Sequence, residues 1–235
     1  MSITNIGCNG VKSANSVSEV VVCRGITRIC HITPVYNLVH ILKNNTGILA
    51  TDFIPAEYLC RNDLERYDRK TDYISASVQY PNFWYYNRKK SESSVNVDWA
   101  VILIDPGICR DDNTLFSPYN AAKRCGRYLK PGADAFREMF AESLNGRLRD
   151  ANRLRNCPTE DQAEIMIYKK IPTYYFRGIV FETPQAAERF ISLAAKEGLE
   201  YPPIFYAPAM FSTQMSNYVR EGYEAIMTPV SFGLK

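Results

Sequence analysis

The chain has 235 residues, 46% of them hydrophobic, with a formal net charge of +3, which fits one globular unit and demands no polyanion partner on charge alone. No apolar run approaches the ~20 residues that span a bilayer, so a membrane-embedded chain is excluded from the reading. Its seven cysteines, at positions 8, 23, 30, 60, 109, 125 and 157, are odd in number and never spaced Cys-x-x-Cys, and the start shows no charged-then-apolar leader. Reduced thiols in a cytoplasm are the expectation.

Residues 1–20 are rich in Ser, Asn and Gly and read as a flexible N-terminal arm, leaving 21–235 as one domain. Val20 to Ile32 reads as a strand. Thr33-Pro34 then reads as an N-cap followed by Pro at the first helical position. Val35, Leu38, Val39 and Leu42 recur at helical spacing up to the Asn44-Asn45-Thr46-Gly47 stop, and His40 falls off that stripe toward solvent. Tyr73 to Val78 alternates as a strand closed by Tyr80-Pro81-Asn82, and an aromatic segment, Phe83 to Arg88, follows. Trp99 to Ile104 is apolar at every position, the pattern of a central strand covered on both faces. Asn120 to Lys123 reads as a helical turn, and Phe136, Met139, Phe140 and Leu144 as one face of a helix. Residues 145–161 read as an arginine-rich irregular loop. Glu164 to Tyr168 and Tyr174 to Phe181 read as strands, and Thr183-Pro184 starts a helix that Gly198 ends. The Pro-containing tail shows little periodicity. Together these elements predict a single α+β domain.

Chemistry concentrates at two places. Glu164 opens an apolar strand behind a polar loop, and His31 closes an apolar run, more than a hundred residues upstream. An imidazole that grips a ribose and a carboxylate that stabilises a cationic sugar suit such a pair. With only His31 and His40 in the chain and neither in metal-ligand spacing, no metal site is expected. No Walker loop, Gly-x-Gly-x-x-Gly, Cys-x-x-Cys or His-Glu-x-x-His occurs. Arg147, Arg149, Arg153 and Arg155 fall within nine residues, beside Glu164 in sequence, and are the candidate nucleic-acid contacts, with Lys123, Arg124, Arg127 and Lys130 upstream.

Four motifs occur in order: His31-Ile32-Thr33, the strand Tyr73-Ile-Ser-Ala-Ser-Val-Gln-Tyr-Pro81, Asn120-Ala-Ala122 and Gln162-Ala-Glu164. On them the chain resembles the DarT family of DNA ADP-ribosyltransferase toxins, over roughly residues 25 to 182. The resemblance implies an ADP-ribosyltransferase-like fold in which two small antiparallel-type sheets form a split NAD cleft with flanking helices. It implies transfer of ADP-ribose from NAD to a base of single-stranded DNA, and a macrodomain antitoxin of the DarG type as partner. By the resemblance Glu164 is catalytic, His31 holds a ribose of NAD, and a family arginine maps onto Arg88. Thr33, Ser75, Tyr80 and Tyr85 complete the expected cofactor-contacting set, with a tyrosine stacked on the nicotinamide. The strand around Ser75 departs from the thymidine-modifying members and leaves the base open. An RNA or protein acceptor, and a non-catalytic nucleic-acid-binding module with a decayed NAD site, stand as alternatives.

Overall fold

A computed structural model of the chain describes residues 15–56, 69–92 and 97–230. In chain order the strands are β1 (Ile29–Pro34), β2 (Ile48–Leu49), β3 (Tyr73–Val78), β4 (Trp99–Ile104), β5 (Leu115–Ser117), β6 (Lys130–Pro131), β7 (Ser143–Leu144), β8 (Arg147–Leu148), β9 (Glu164–Tyr168), β10 (Lys170–Ile171), β11 (Phe176–Phe181), β12 (Ile204–Tyr206) and β13 (Thr228–Pro229). The helices are α1 (Val17–Arg24), α2 (Tyr36–Leu42), α3 (Phe83–Glu92), α4 (Gly132–Glu138), α5 (Pro184–Glu197) and α6 (Gln214–Glu221).

The principal sheet runs β13-β12-β11-β4-β1-β3-β9-β5-β6, with β2–β10 and β7–β8 as two-stranded ribbons. Pairing is antiparallel except between β11 and β12, which α5 connects. β4 sits between β1 and β11, and all six of its residues are buried. Its alternate side chains feed two cores: Ala100, Ile102 and Ile104 face one, Trp99, Val101 and Leu103 the other. Period-two geometry makes a doubly covered strand read as unbroken apolar sequence. α5 starts where Thr183 Oγ1 accepts the Ala186 N–H at 3.2 Å and stops where Gly198 turns left-handed, φ 62°. Its Phe190 ring lies 5.3 Å from that of Phe181 on β11.

The sheet is continuous in name but split in its middle. β1 pairs with β4 along six residues but with β3 only at Ile29↔Val78 and Cys30↔Ser77. From His31 onward β1 follows β4, while Tyr73 to Ala76 of β3 follow β9. The two halves are the sheets of the expected α+β split architecture. Gln79 pins the junction. Its N–H donates to Arg28 O at 3.0 Å, Arg28 Nε donates to Gln79 O at 2.8 Å, and its buried amide exchanges hydrogen bonds with Thr27. Gln79 adopts φ 68°, a left-handed conformation that a non-glycine residue holds only where its surroundings over-determine it.

Four expectations change here. The strand expected from Val20 is helical as far as Arg24, because Ser16 Oγ accepts the Glu19 N–H at 3.2 Å and Gly25, φ 69°, closes the helix. Capping at both ends outweighs the β-branched Val20-Val21-Val22 run. Residues 17–20 of the expected arm therefore form the first turn of α1, with Val20 buried; residues 1–14 lie outside the described residues. Thr33 lies inside β1 rather than capping α2, whose N-cap position is Val35. The tail also carries structure. β12, β13 and α6 extend the sheet and cover its second face, with Met215 and Val219 of α6 in the core with Trp99 and Val101.

The 145–163 segment is fastened from within. Arg153, 6% exposed, donates to Pro158 O at 2.5 Å and to Asp161 Oδ1 at 2.5 Å, and faces Asp150 at 3.5 Å. Asp161 Oδ2 accepts Ser216 Oγ at 2.5 Å and Arg220 at 2.8 Å, tying the loop to α6. Burial pushes the Asp161 carboxyl up, but Arg153, Ser216 and Arg220 outweigh it and hold it below its ordinary 3.8. A depressed carboxyl stabilises the fold above its ordinary pKa, and that contribution disappears as pH falls below 3.8 toward the folded-state value. Arg149 donates to Thr159 Oγ1 at 3.0 Å, Leu154 O at 2.7 Å and Cys157 O at 2.9 Å. Removing one member of a buried pair strands the other, so Arg153→Ala is expected to destabilise by about 3–5 kcal/mol. Arg147→Ala, which loses a half-exposed pairing with Glu160, should cost at most about 1 kcal/mol. Chemical denaturation of the two variants against the parent measures the difference.

Candidate active site

His31 is the first residue of β1 past the junction, and its ring bridges the opening. Its Nδ1 lies 2.9 Å from the backbone oxygen of Ser75 on β3. A carbonyl only accepts, so Nδ1 carries the hydrogen and donates it. Burial lowers the His31 pKa below its ordinary 6.5, and the bond to Ser75 only partly opposes this. The imidazole is therefore neutral at pH 7, with Nε2 a hydrogen-bond acceptor. A donor such as a sugar hydroxyl meets a fitting partner there.

Glu164 opens β9, paired with Ser117 of β5. It is 7% exposed. Its Oε1 accepts the side-chain amides of Asn82 and Asn120, each at 3.3 Å, and its Oε2 accepts the Ala121 N–H at 2.8 Å. Asn82 is itself fixed, since its Oδ1 accepts the Tyr85 N–H at 3.1 Å and so caps the start of α3. Asn120 Oδ1 likewise accepts the Ala122 N–H at 3.0 Å. These three donors are neutral, and together they fix the orientation of the carboxylate. β3 lies between β9 and β1 in the sheet order, so Glu164 and His31 sit on strands either side of it. Set on different strands across the split, they are placed for two sides of one bound molecule rather than for a direct pair.

Other expected site residues fall elsewhere. Ser75 is exposed on β3 and contributes its carbonyl to His31. Thr33 is buried, its hydroxyl accepting from Asn37 Nδ2 at 2.9 Å, so it braces α2. Tyr80 does not offer a ring for stacking. It is 5% exposed in the second core and its hydroxyl accepts the Ala225 N–H at 3.2 Å. Tyr85 packs partly buried against that core, and Tyr86 is buried with its ring edge-on to Trp99 and Phe211. The described contacts of Arg88 lie on its own helix, to Glu92 at 3.8 Å and over the Tyr85 ring at 5.9 Å, so nothing joins it to Glu164.

The four arginines divide. Arg149 and Arg153 hold the loop, as described above; Arg147 and Arg155 are exposed, the latter donating to Cys23 O. Burial pushes the thiols of Cys30, Cys109 and Cys157 up to about 12, so none supplies a thiolate at neutral pH. Sequence reasoning missed Asn82, read as a turn residue, and Gln79, read only as part of the strand motif that ends at Pro81. Asn120 was visible in the Asn120-Ala-Ala motif, though not its bond to Glu164.

Comparison with known proteins adds the following. The model of the family described as "DarT: ssDNA thymidine ADP-ribosyltransferase" matches residues 30–212. No curated protein matches the chain in sequence. Among solved structures, the chain is similar to Thermus sp. 2.9 DarT in complex with NAD+, at 15% identity and TM-score 0.57, covering 79% of this chain and 98% of that one. The same Thermus protein in complex with ADP-ribosylated ssDNA aligns at 15% identity and TM-score 0.56, over 80% and 97% of the two chains. Thermosipho africanus DarTG in complex with ADP-ribose aligns at 14% identity and TM-score 0.51, over 79% of this chain and 51% of that one. At such identities the likeness establishes a shared fold.

The His31 geometry makes a spectroscopic prediction. Long-range 1H–15N correlation should show the Nδ1–H tautomer at neutral pH and a titration midpoint below 6.5. An Nε2–H tautomer would mean that the Ser75 bridge is not made.

Proposed function

The chain belongs to the DarT family of single-stranded-DNA thymidine ADP-ribosyltransferases, and we propose that Glu164 is the carboxylate at which it transfers ADP-ribose from NAD to a base of single-stranded DNA. The observation that carries this reading is the oriented Glu164, held by Asn82, Asn120 and Ala121 beside a split sheet that His31 bridges. The residues fit NAD, a substrate here. Nε2 of a neutral His31 accepts a hydroxyl of the adenosine-side ribose, and the Glu164 carboxylate accepts one from the nicotinamide-side ribose. The family description names thymidine, and we take thymidine as the base modified.

The chemistry follows from those roles. As the bond from ribose to nicotinamide breaks, its electron pair leaves with nicotinamide and positive charge develops on the sugar. A fixed carboxylate stabilises that charge more than it stabilises ground-state NAD, which is the requirement for catalysis. The sugar cation has its analogue in glycoside hydrolysis, where carboxylates flank the reacting carbon. A ring nitrogen of the base then bonds to the anomeric carbon, and its proton passes to Glu164. The amides of Asn82 and Asn120 keep the carboxylate aimed at the sugar through this sequence.

The phosphates of the acceptor strand are held by exposed cations near this centre. Arg147 and Arg155 keep that role from the original set, while Arg149 and Arg153 leave it for the loop staple. Lys123, Arg124, Arg127 and Lys130 are all exposed on the segment that follows Asn120 and Ala121, and we take them as further phosphate contacts. In the cell the protein acts in the cytoplasm as a toxin on DNA, countered by a macrodomain antitoxin of the DarG type. Among the described residues no helix is long and apolar enough to cross a membrane.

Two measurements test the assignment. Glu164→Gln should lower turnover about 100- to 1000-fold, read as ADP-ribosylated oligonucleotide by mass at a temperature where melting curves show the variant folded. Its new NH2 faces the donors that held the carboxylate, so a stability loss of about 1–3 kcal/mol accompanies it. Near-parental transfer by the folded variant would move the catalytic role off Glu164. Arg124→Ala combined with Arg127→Ala should weaken oligonucleotide binding and reduce the salt slope by about one unit per true phosphate contact. A salt titration indistinguishable from the parent removes both from the phosphate path.

A further inference from the structure

Trp84 is left unexplained by the roles above. It is 47% exposed, while the chain's second tryptophan, Trp99, is 8% exposed in the core. A broad indole face open to water at the start of a helix presents a π-face to a planar partner. Its surroundings are specific. Trp84 lies two residues after Asn82, whose amide reaches Glu164 Oε1 at 3.3 Å, and its ring meets that of Phe83 at 5.9 Å between centroids.

Phe83 and Trp84 border a groove that is also lined by Ser77, Pro81, Glu160 and Ala163. Its lining includes Ala163, next to Glu164 in sequence, and Pro81, next to Asn82. It is walled by aromatic rings and Pro81, and it carries polar edges at Ser77, Glu160 and Ser216. A flat aromatic face beside a few hydrogen-bonding groups matches an unstacked nucleobase, which presents a π-face and a polar edge. It matches a phosphate poorly, because Arg153, which also lines the groove, is paired with Asp150 and Asp161, and Glu160 stands on the same lining.

We infer that the Trp84 indole is a stacking platform for a nucleobase of the single-stranded DNA acceptor, in the groove between the start of α3 and the loop that leads into Glu164. The inference rests on the transferase reading above and adds a residue that sets affinity for the acceptor. Trp84 touches the base and leaves the bond-breaking at the ribose to Glu164. The opposing occupant, the nicotinamide ring of NAD, is separated from the base by experiment.

The test uses the full chain as parent, Trp84→Ala and Trp84→Phe, with NAD and a short thymidine-containing single-stranded oligonucleotide. Stacking on one ring accounts for about 5- to 150-fold in affinity. The KM for oligonucleotide should therefore rise by that factor in Trp84→Ala, with the Kd for NAD and the melting temperature near the parent's. Trp84→Phe, which keeps a ring, should recover most of the loss. Tryptophan emission of the parent should be quenched by the oligonucleotide, and the quench should vanish in Trp84→Phe. An unchanged oligonucleotide KM in Trp84→Ala overturns the inference while leaving the transferase reading intact. A raised Kd for NAD with unchanged oligonucleotide KM also overturns it and puts the nicotinamide on the ring. A parent that transfers nothing to any oligonucleotide overturns the transferase reading first and this inference with it.

Discussion

Everything in the site depends on how briefly β1 and β3 pair. Two residue pairs, Ile29↔Val78 and Cys30↔Ser77, join the halves of the sheet, and beyond them each strand follows a different neighbour. A longer ladder would close the opening and leave His31 as an ordinary strand residue. A shorter one would let the halves drift and lose the fixed relation between the strands that carry His31 and Glu164. Gln79 sets the limit. It ties the end of β3 to Thr27 and Arg28 through main chain and side chain, and its left-handed backbone turns the chain out of the sheet toward Asn82. The Ser75 carbonyl then takes up the His31 Nδ1–H across the gap, so the backbone group that lost its ladder partner is still satisfied.

Glu164 shows the same economy of position. A carboxylate this buried requires donors. Those described come from two distant parts of the chain, Asn82 at the head of α3 and Asn120 with Ala121 after β5, onto a residue that β9 carries. The loop that delivers Glu164 would be mobile if its charges were solvated. Instead Arg149 and Arg153 turn inward and hold Leu154, Cys157, Pro158, Thr159 and Asp161. An arginine-rich stretch thus serves two ends. Its buried members build the loop, and its exposed members, Arg147 and Arg155, face solvent.

Much of this was legible from residue patterns. The strands Tyr73–Val78, Trp99–Ile104 and Glu164–Tyr168, and the helix closed by Gly198, have the bounds that alternation, apolar runs and capping residues set. The position of Glu164 at the mouth of β9 was legible too, from the polar loop before it and the apolar run after it. What was not legible is tertiary. Val20-Val21-Val22 favours a strand locally, and only the caps at Ser16 and Gly25 reverse it. Arg153 and Arg155 look alike in sequence, yet one is buried against Asp161 and the other exposed, a difference that α6 creates from residues sixty positions away. Tyr80 was read as a stacking ring, but the tail that covers it, through Ala225, shows no periodicity of its own.

The central claim is that this split sheet transfers ADP-ribose onto a DNA base. The most direct measurement is the mass of single-stranded oligonucleotides of defined base content after incubation with the parent protein and NAD. The account predicts one added ADP-ribose on oligonucleotides that contain thymidine and none on those that lack it. NAD consumed to free ADP-ribose with every oligonucleotide unchanged, or the mark found only on protein, would contradict it.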